Sequence, residues 1–186
     1  ALGYGADDPR VRTARAAIEA LLVVNADEAY CQPCLSPVWD TALTAHALLE
    51  TGGEECERRT WASLEWLRPL QVLDIAGDWA STRPGVRPGG WAFQYANPHY
   101  PDLDDTAVVV MAMDRAAKSG ISPDYKQAIA RGAEWVDGLQ SRDGGGGAVG
   151  ADNSSTYLNN IPSADHGAFL APPTAAVSGR CVGLLG

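Results

Sequence analysis

The sequence predicts an all-α fold, an α/α toroid of the α6/α6-barrel type in which inner helices are ringed by outer ones. Three observations carry that expectation: five segments place apolar residues at three- and four-residue spacing, a long internal repeat joins them, and no segment alternates strongly enough to form a long strand. With 186 residues of which 46% are hydrophobic, the chain can bury one substantial core. Residues 1–186 are therefore expected to form a single domain, part of such a barrel.

The periodic segments are 9–23, 36–51, 55–71, 104–118 and 123–140. In the second, "SPVWDTALTAHALLETG" (36–52), His46 shares a face with Trp39, Leu43 and Leu49, which suits a core histidine better than a ligand. The third ends in "WLRPLQ" (66–71) and the fifth in "WVDGLQ" (135–140); both read W-x4-Q, with Trp66 and Trp135 lying 69 residues apart, as do Gln71 and Gln140. A Gly-rich turn follows each.

The helices preceding these repeat as well. "SPVWDTALTAHALLETG" resembles "PDLDDTAVVVMAMDRAAKSG" (101–120), aligning Asp40-Thr41-Ala42 with Asp105-Thr106-Ala107, and a third copy appears at "PTAAVSGRCVGLLG" (173–186). A repeat holding one small-residue-rich apolar helix and one amphipathic helix fits concentric inner and outer layers. A carboxylate at the start of an inner helix caps free N–H groups and meets the positive end of the helix dipole. Capping therefore accounts for Asp40 and Asp105, but not for Asp102 and Asp104. Between the helices lies a long connection rich in Gly, Pro and aromatics, 77–102, whose length points to function and whose aromatics point to order.

The bulk numbers exclude several classes. Fourteen Lys and Arg against 23 Asp and Glu give a net charge of −9, so nucleic acid is not an expected partner. The longest apolar stretch, Ala107 to Met113, is too short to cross a bilayer, and no signal-peptide pattern opens the chain. Peripheral membrane contact stays open. Cys31 and Cys34 form a CxxC, yet Cys56 and Cys181 are isolated and no second pair completes a zinc site; all four are expected as reduced, structural thiols. The first residue is Ala1 and the last stretch, "GRCVGLLG", reads as the inside of a helix, so the chain is expected to be an excerpt of a longer protein.

Taken together, "SPVWDT", "GGWAFQ", "DLDDTAVV", the two W-x4-Q segments and "LNNIPSADHGA" closely resemble the squalene-hopene cyclases, class II triterpene cyclases. The DxDDTA string is shared with class II diterpene cyclases, which stay open as an alternative, as does a non-catalytic α/α-barrel binding module. The resemblance implies a full-length protein about three times longer with two α/α barrels, a homodimer peripheral to the membrane, on its cytoplasmic face in bacteria. The implied reaction is acid-initiated polycyclisation of squalene to hopene or hopanol without a cofactor or metal. Class I enzymes bind Mg²⁺ and a diphosphate through DDxxD, a spacing DLDD lacks. The chain by itself is expected to be inactive.

Protonating an isolated alkene requires a positioned acid that keeps its proton near neutral pH, and crowded carboxyl groups meet that need because they cannot all ionise. The resemblance assigns the proton donor to Asp104, tuned by Asp102 and Asp105, and places Arg180 beside it. It puts Trp39 and Phe93 along the cavity, where ring faces stabilise migrating positive charge. Trp66, Trp135, Gln71 and Gln140 match structural repeats that tie outer helices together. Six positions depart from the family pattern: Gly146, where Trp is usual, Val149, Gly150, Ser163, Ala171 and Ala176, the last aligned with the inner-helix cap. These losses are expected to weaken the acid network and the packing around it.

Overall fold

The computed structural model describes residues 5, 7–31, 36–121, 125–152 and 172–186. Cys34, Ser163, Ala171 and the "LNNIPSADHGA" segment lie outside the described residues. Two compact units divide at Leu35 and Ser36.

In the first unit, helix α1 spans Pro9–Ala20, opened by Asp8, whose side chain accepts from Arg10 N at 2.9 Å, and by Pro9 at the first helical position. Proline suits that place because its missing N–H would have no helical partner anyway. The helix stops three residues short of the expected 23. Leu22–Val24 instead forms strand β1, paired antiparallel with β2, Ala29–Cys31. The β-branched Val23 and Val24 favour an extended backbone, and Asn25 N donates to Glu28 O at 2.8 Å to close the hairpin.

The second unit holds five helices among the described residues. Helix α2, Pro37–Thr51, buries Val38, Ala42 and Ala45; it ends at Gly52 and Gly53, whose φ of 71° and 94° only glycine adopts cheaply. Helix α3, Glu54–Leu67, starts with Glu54, Glu55 and Glu57 against the positive end of its dipole and buries Thr60, Leu64 and Leu67. Pro69 ends it ahead of the expected 71, and residues 68–70 tighten into a 3-10 turn.

The long connection is ordered, as its aromatics suggest. It carries a 3-10 turn at Asp78–Ser81 and strand β3, Trp91–Ala92, which pairs antiparallel with β4, Pro101–Asp102. Trp91 is fully buried and donates from Nε1 to Leu67 O at 2.7 Å, anchoring the connection to the end of α3.

Helix α4, Leu103–Lys118, follows β4 directly. It is buried almost all round and packs against α2, α3, α5 (Lys126–Gly138) and α6 (Ala175–Leu185). A helix apolar on every side belongs at the centre. Helices α2, α4 and α6 are the inner series and α3 and α5 the outer, with small residues, Ala42, Ala45, Ala112 and Ala116, where the inner helices approach. His46 is a satisfied core histidine: Nε2 donates to Val108 O at 3.1 Å, and burial holds its pKa below the usual value. Cys56 and Cys181 are free thiols.

The W-x4-Q repeats are less equivalent than their spacing suggests. Trp135 is fully buried and meets Trp79 edge-on at 5.9 Å, whereas Trp66 is 39% exposed and leans on Tyr95 at 6.1 Å. Gln71 Nε2 donates to Gly89 O at 2.8 Å and Ala128 O at 3.0 Å, joining the end of α3 to α5. Among the described residues Gln140 Nε2 donates within its own turn, to Gly144 O at 2.9 Å.

Candidate active site

Strand β4 delivers Asp102 to the start of α4 with an extended backbone, φ −125° and ψ 160°. From there its Oδ1 accepts from Asp105 N at 2.8 Å, so Asp102 is the cap of α4. The repeat alignment assigns capping to Asp40 and Asp105, and the structure corrects this. Both helices begin earlier than the aligned acids: Pro37 is the first residue of α2, and the β3–β4 ladder starts α4 at Leu103. Asp40 and Asp105 lie inside the first turns, and Asp40 accepts from Ser36 Oγ at 2.5 Å. In the third inner helix the cap is Thr174, whose Oγ1 accepts from Val177 N at 3.3 Å, so Ala176 leaves no cap missing.

The helical first turn then sends the three carboxyl groups into different surroundings. Asp105 is 2% exposed and its Oδ1 has no hydrogen-bond partner among the described residues. Burial above all, then the charge of Asp102, pushes its pKa up to about 9. Asp102 is raised to about 6, also chiefly by burial and opposed by hydrogen bonds from Asp105. Burial and the neighbouring Asp102 charge thus favour a protonated Asp105.

Asp104 points elsewhere. Its side chain is 24% exposed, and Oδ1 accepts from Arg180 Nη1 of α6 at 2.6 Å. The Arg180 guanidinium carbon also lies 5.1 Å from the centre of the Trp39 ring. Residues on all three inner helices thus meet in one chain of contacts, Trp39 to Arg180 to Asp104. Phe93 is half-buried and directly follows β3, so the ladder holds its backbone beside the strand that leads into α4.

Thr106 was not singled out by its sequence context, although it completes the string DLDDT. Its buried Oγ1 donates to Asp102 O at 2.6 Å and accepts from Trp91 N at 2.9 Å, tying the long connection to the cap of α4. Cys181, beside Arg180, is buried, and burial lifts its thiol to about 11, which keeps it protonated and unreactive.

The described departures have local accounts. Gly146 N donates to Ser178 Oγ at 2.9 Å, and a Cβ built there would rest 3.4 Å from Cys181 Sγ and 3.5 Å from Leu103 Cδ2. A cavity of about 70 Å³ lies beside it, lined by Leu103, Val136, Ser178 and Cys181 among others. Gly150 has a φ of 80°, which glycine adopts without strain, and Val149 is 40% exposed. Ala176 is exposed one helical turn before Arg180. An acid there would share a face with Arg180 and compete with Asp104 for it.

Residues 35–186 match the squalene-hopene cyclase C-terminal domain, a span that nearly coincides with the second compact unit. The chain is 60% identical to a probable squalene-hopene cyclase of Sinorhizobium fredii and 58% identical to the squalene-hopene cyclase of Zymomonas mobilis, in each case over all of this chain and 29% of that protein. It is 49% identical to the squalene-hopene cyclase of the yeast Schizosaccharomyces japonicus, again over all of this chain and 29% of the relative. The chain therefore spans about three tenths of the length of these relatives. With inner and outer helices, a DLDD turn and a basic partner for its central acid all in place, the chain belongs to the squalene-hopene cyclase C-terminal domain family.

Proposed function

We propose that the protein carrying this chain is a class II terpene cyclase that converts squalene to hopene or hopanol, with Asp104 as the acid that starts the reaction. One observation carries the reading: Asp104 is part-exposed and held by Arg180, while Asp105 is sealed off. In the proposed step the Asp104 O–H bond breaks, its proton and the π electrons of the terminal alkene form a new C–H bond, and a carbocation remains on the neighbouring carbon. The negative charge left on Asp104 faces the Arg180 guanidinium, which balances it. Asp102 and Asp105 orient the turn and limit how much negative charge it can collect. Phe93 faces the migrating charge with its ring.

The proposal extends to a homodimer seated on one leaflet at the cytoplasmic face of a bacterial membrane, a placement that suits so apolar a substrate. No helix among the described residues is long and apolar enough to cross a membrane.

The test is Asp104→Asn in a full-length cyclase carrying this segment, incubated with squalene in detergent and assayed for pentacyclic product. The amide keeps the shape but has no proton to give, so turnover falls by about a thousandfold or more while the unfolding midpoint holds. Product formation at wild-type rate removes Asp104 as the donor.

A further inference from the structure

We propose that Trp39 is a positioning residue for the acid: its ring face holds the Arg180 guanidinium in place on Asp104. The inference rests on the reading of Asp104 as the initiating acid and adds a residue that acts through another.

Arginine is long and flexible, and its side chain here is 37% exposed. Among the described residues its contact with Asp104 runs through Nη1 alone, to Oδ1 at 2.6 Å. One such bond fixes a distance but leaves the guanidinium plane free to turn, unlike a two-point fork. The second constraint comes from Trp39. The guanidinium carbon lies 5.1 Å from the ring centre, within the range over which an aromatic face attracts a cation. Trp39 is itself packed against the core formed by α2, α3 and α4, so the ring is a firm platform.

This geometry alters what the ring can do for a substrate. The face turned to Arg180 already carries a cation, so that face is not available to a carbocation. Its charge-stabilising capacity is directed at the acid's partner, and the three inner helices each give one member of the array: Trp39 from α2, Asp104 from α4 and Arg180 from α6. Ala176 leaves Arg180 without a competing acid one turn away on its own helix.

The experiment uses full-length cyclase carrying this segment. Trp39→Leu is expected to lower kcat about tenfold with KM held within about twofold, and Trp39→Phe, which keeps a ring face, to recover most of the loss. In an Arg180→Gln background, Trp39→Leu should change kcat by less than about twofold, because nothing remains to be positioned. An equal loss in both backgrounds, or a rise in KM with kcat retained, overturns the proposal and makes Trp39 a substrate-contact residue. A crystal structure of Trp39→Leu supplies a readout independent of activity: Arg180 should leave Asp104, and a retained Arg180–Asp104 hydrogen bond overturns the proposal. Should Asp104→Asn stay active, the acid assignment fails, while that structure still decides the clamp.

Discussion

Asp102 caps the helix that carries Asp105 and also shifts its titration: Asp102 Oδ1 accepts from the Asp105 backbone N–H at 2.8 Å, and the Asp102 charge helps burial raise the Asp105 pKa. The first contact is an ordinary helix cap and favours a charged Asp102. The second, with burial, favours a protonated Asp105. A single turn of helix therefore serves as a structural cap and as a device that keeps an acid neutral, which explains how three acids sit within four residues without repelling the turn open.

The raised carboxyl pKa values make stability pH-dependent, with a definite sign. Both carboxyl groups have pKa values raised on folding, Asp102 to about 6 and Asp105 to about 9, from a value of 3.8. The folded state thus binds protons more tightly than the unfolded one, so its contribution is full below 3.8 and is lost as pH rises through about 6 and then about 9. Asp105→Asn removes the upper step, since an amide does not ionise. Unfolding midpoints of the full-length variant, measured between pH 6 and 9, should fall less steeply than those of the parent. Parallel slopes would show that Asp105 is already ionised in the folded protein.

At Gly90 the long connection passes close to both α4 and α5. A Cβ at this position would stand 2.7 Å from Trp135 Cζ3 and 2.9 Å from Thr106 Oγ1, neither of which is free to move. Gly90→Ala should destabilise by about 2 kcal/mol, the usual scale for overpacking a filled core. Gly85→Ala, where a Cβ meets nothing within 4 Å, is the matched control and should be neutral. Equal denaturation midpoints for the two variants would count against this packing.

Much of this arrangement was readable in the residues. The 69-residue spacing of the W-x4-Q segments announced alternating inner and outer helices, and DLDD before an apolar run announced acids at the start of an inner helix. The resemblance to the squalene-hopene cyclases implied Arg180 beside Asp104, where the structure has it. What escaped was decided by tertiary register. Which acid caps depends on where each helix starts, and that is set by Pro37 and by a ladder of two residue pairs, too short to leave an alternation in the sequence. Trp66 and Trp135 share a motif, but Trp135 is fully covered while Trp66, with Tyr95 against it, stays 39% exposed. The use of Trp39's face depends on where a residue 141 positions later places its guanidinium, which no local pattern encodes.

Thr106 is the sharpest test of how the connection and the acid turn are coupled. Its side chain is fully buried, and its single hydroxyl both donates to Asp102 O and accepts from Trp91 N. Thr106→Val conserves the volume and removes both bonds. The Trp91 N–H is then buried without a partner at a cost of about 1–3 kcal/mol, and Asp102 O loses its bond from the following turn. Thr106→Ser keeps the hydroxyl and gives up one methyl group, a loss of about 1 kcal/mol. The expected order of stability is therefore Thr, Ser, Val, the reverse of what a purely apolar contact would give. Activity should follow the same order in the full-length protein, because loosening β3 from α4 disturbs the residue that caps the acid turn. Denaturation midpoints showing Val at or above Ser would mean that the hydroxyl contributes nothing, and the link from Trp91 to Asp102 would have to be abandoned.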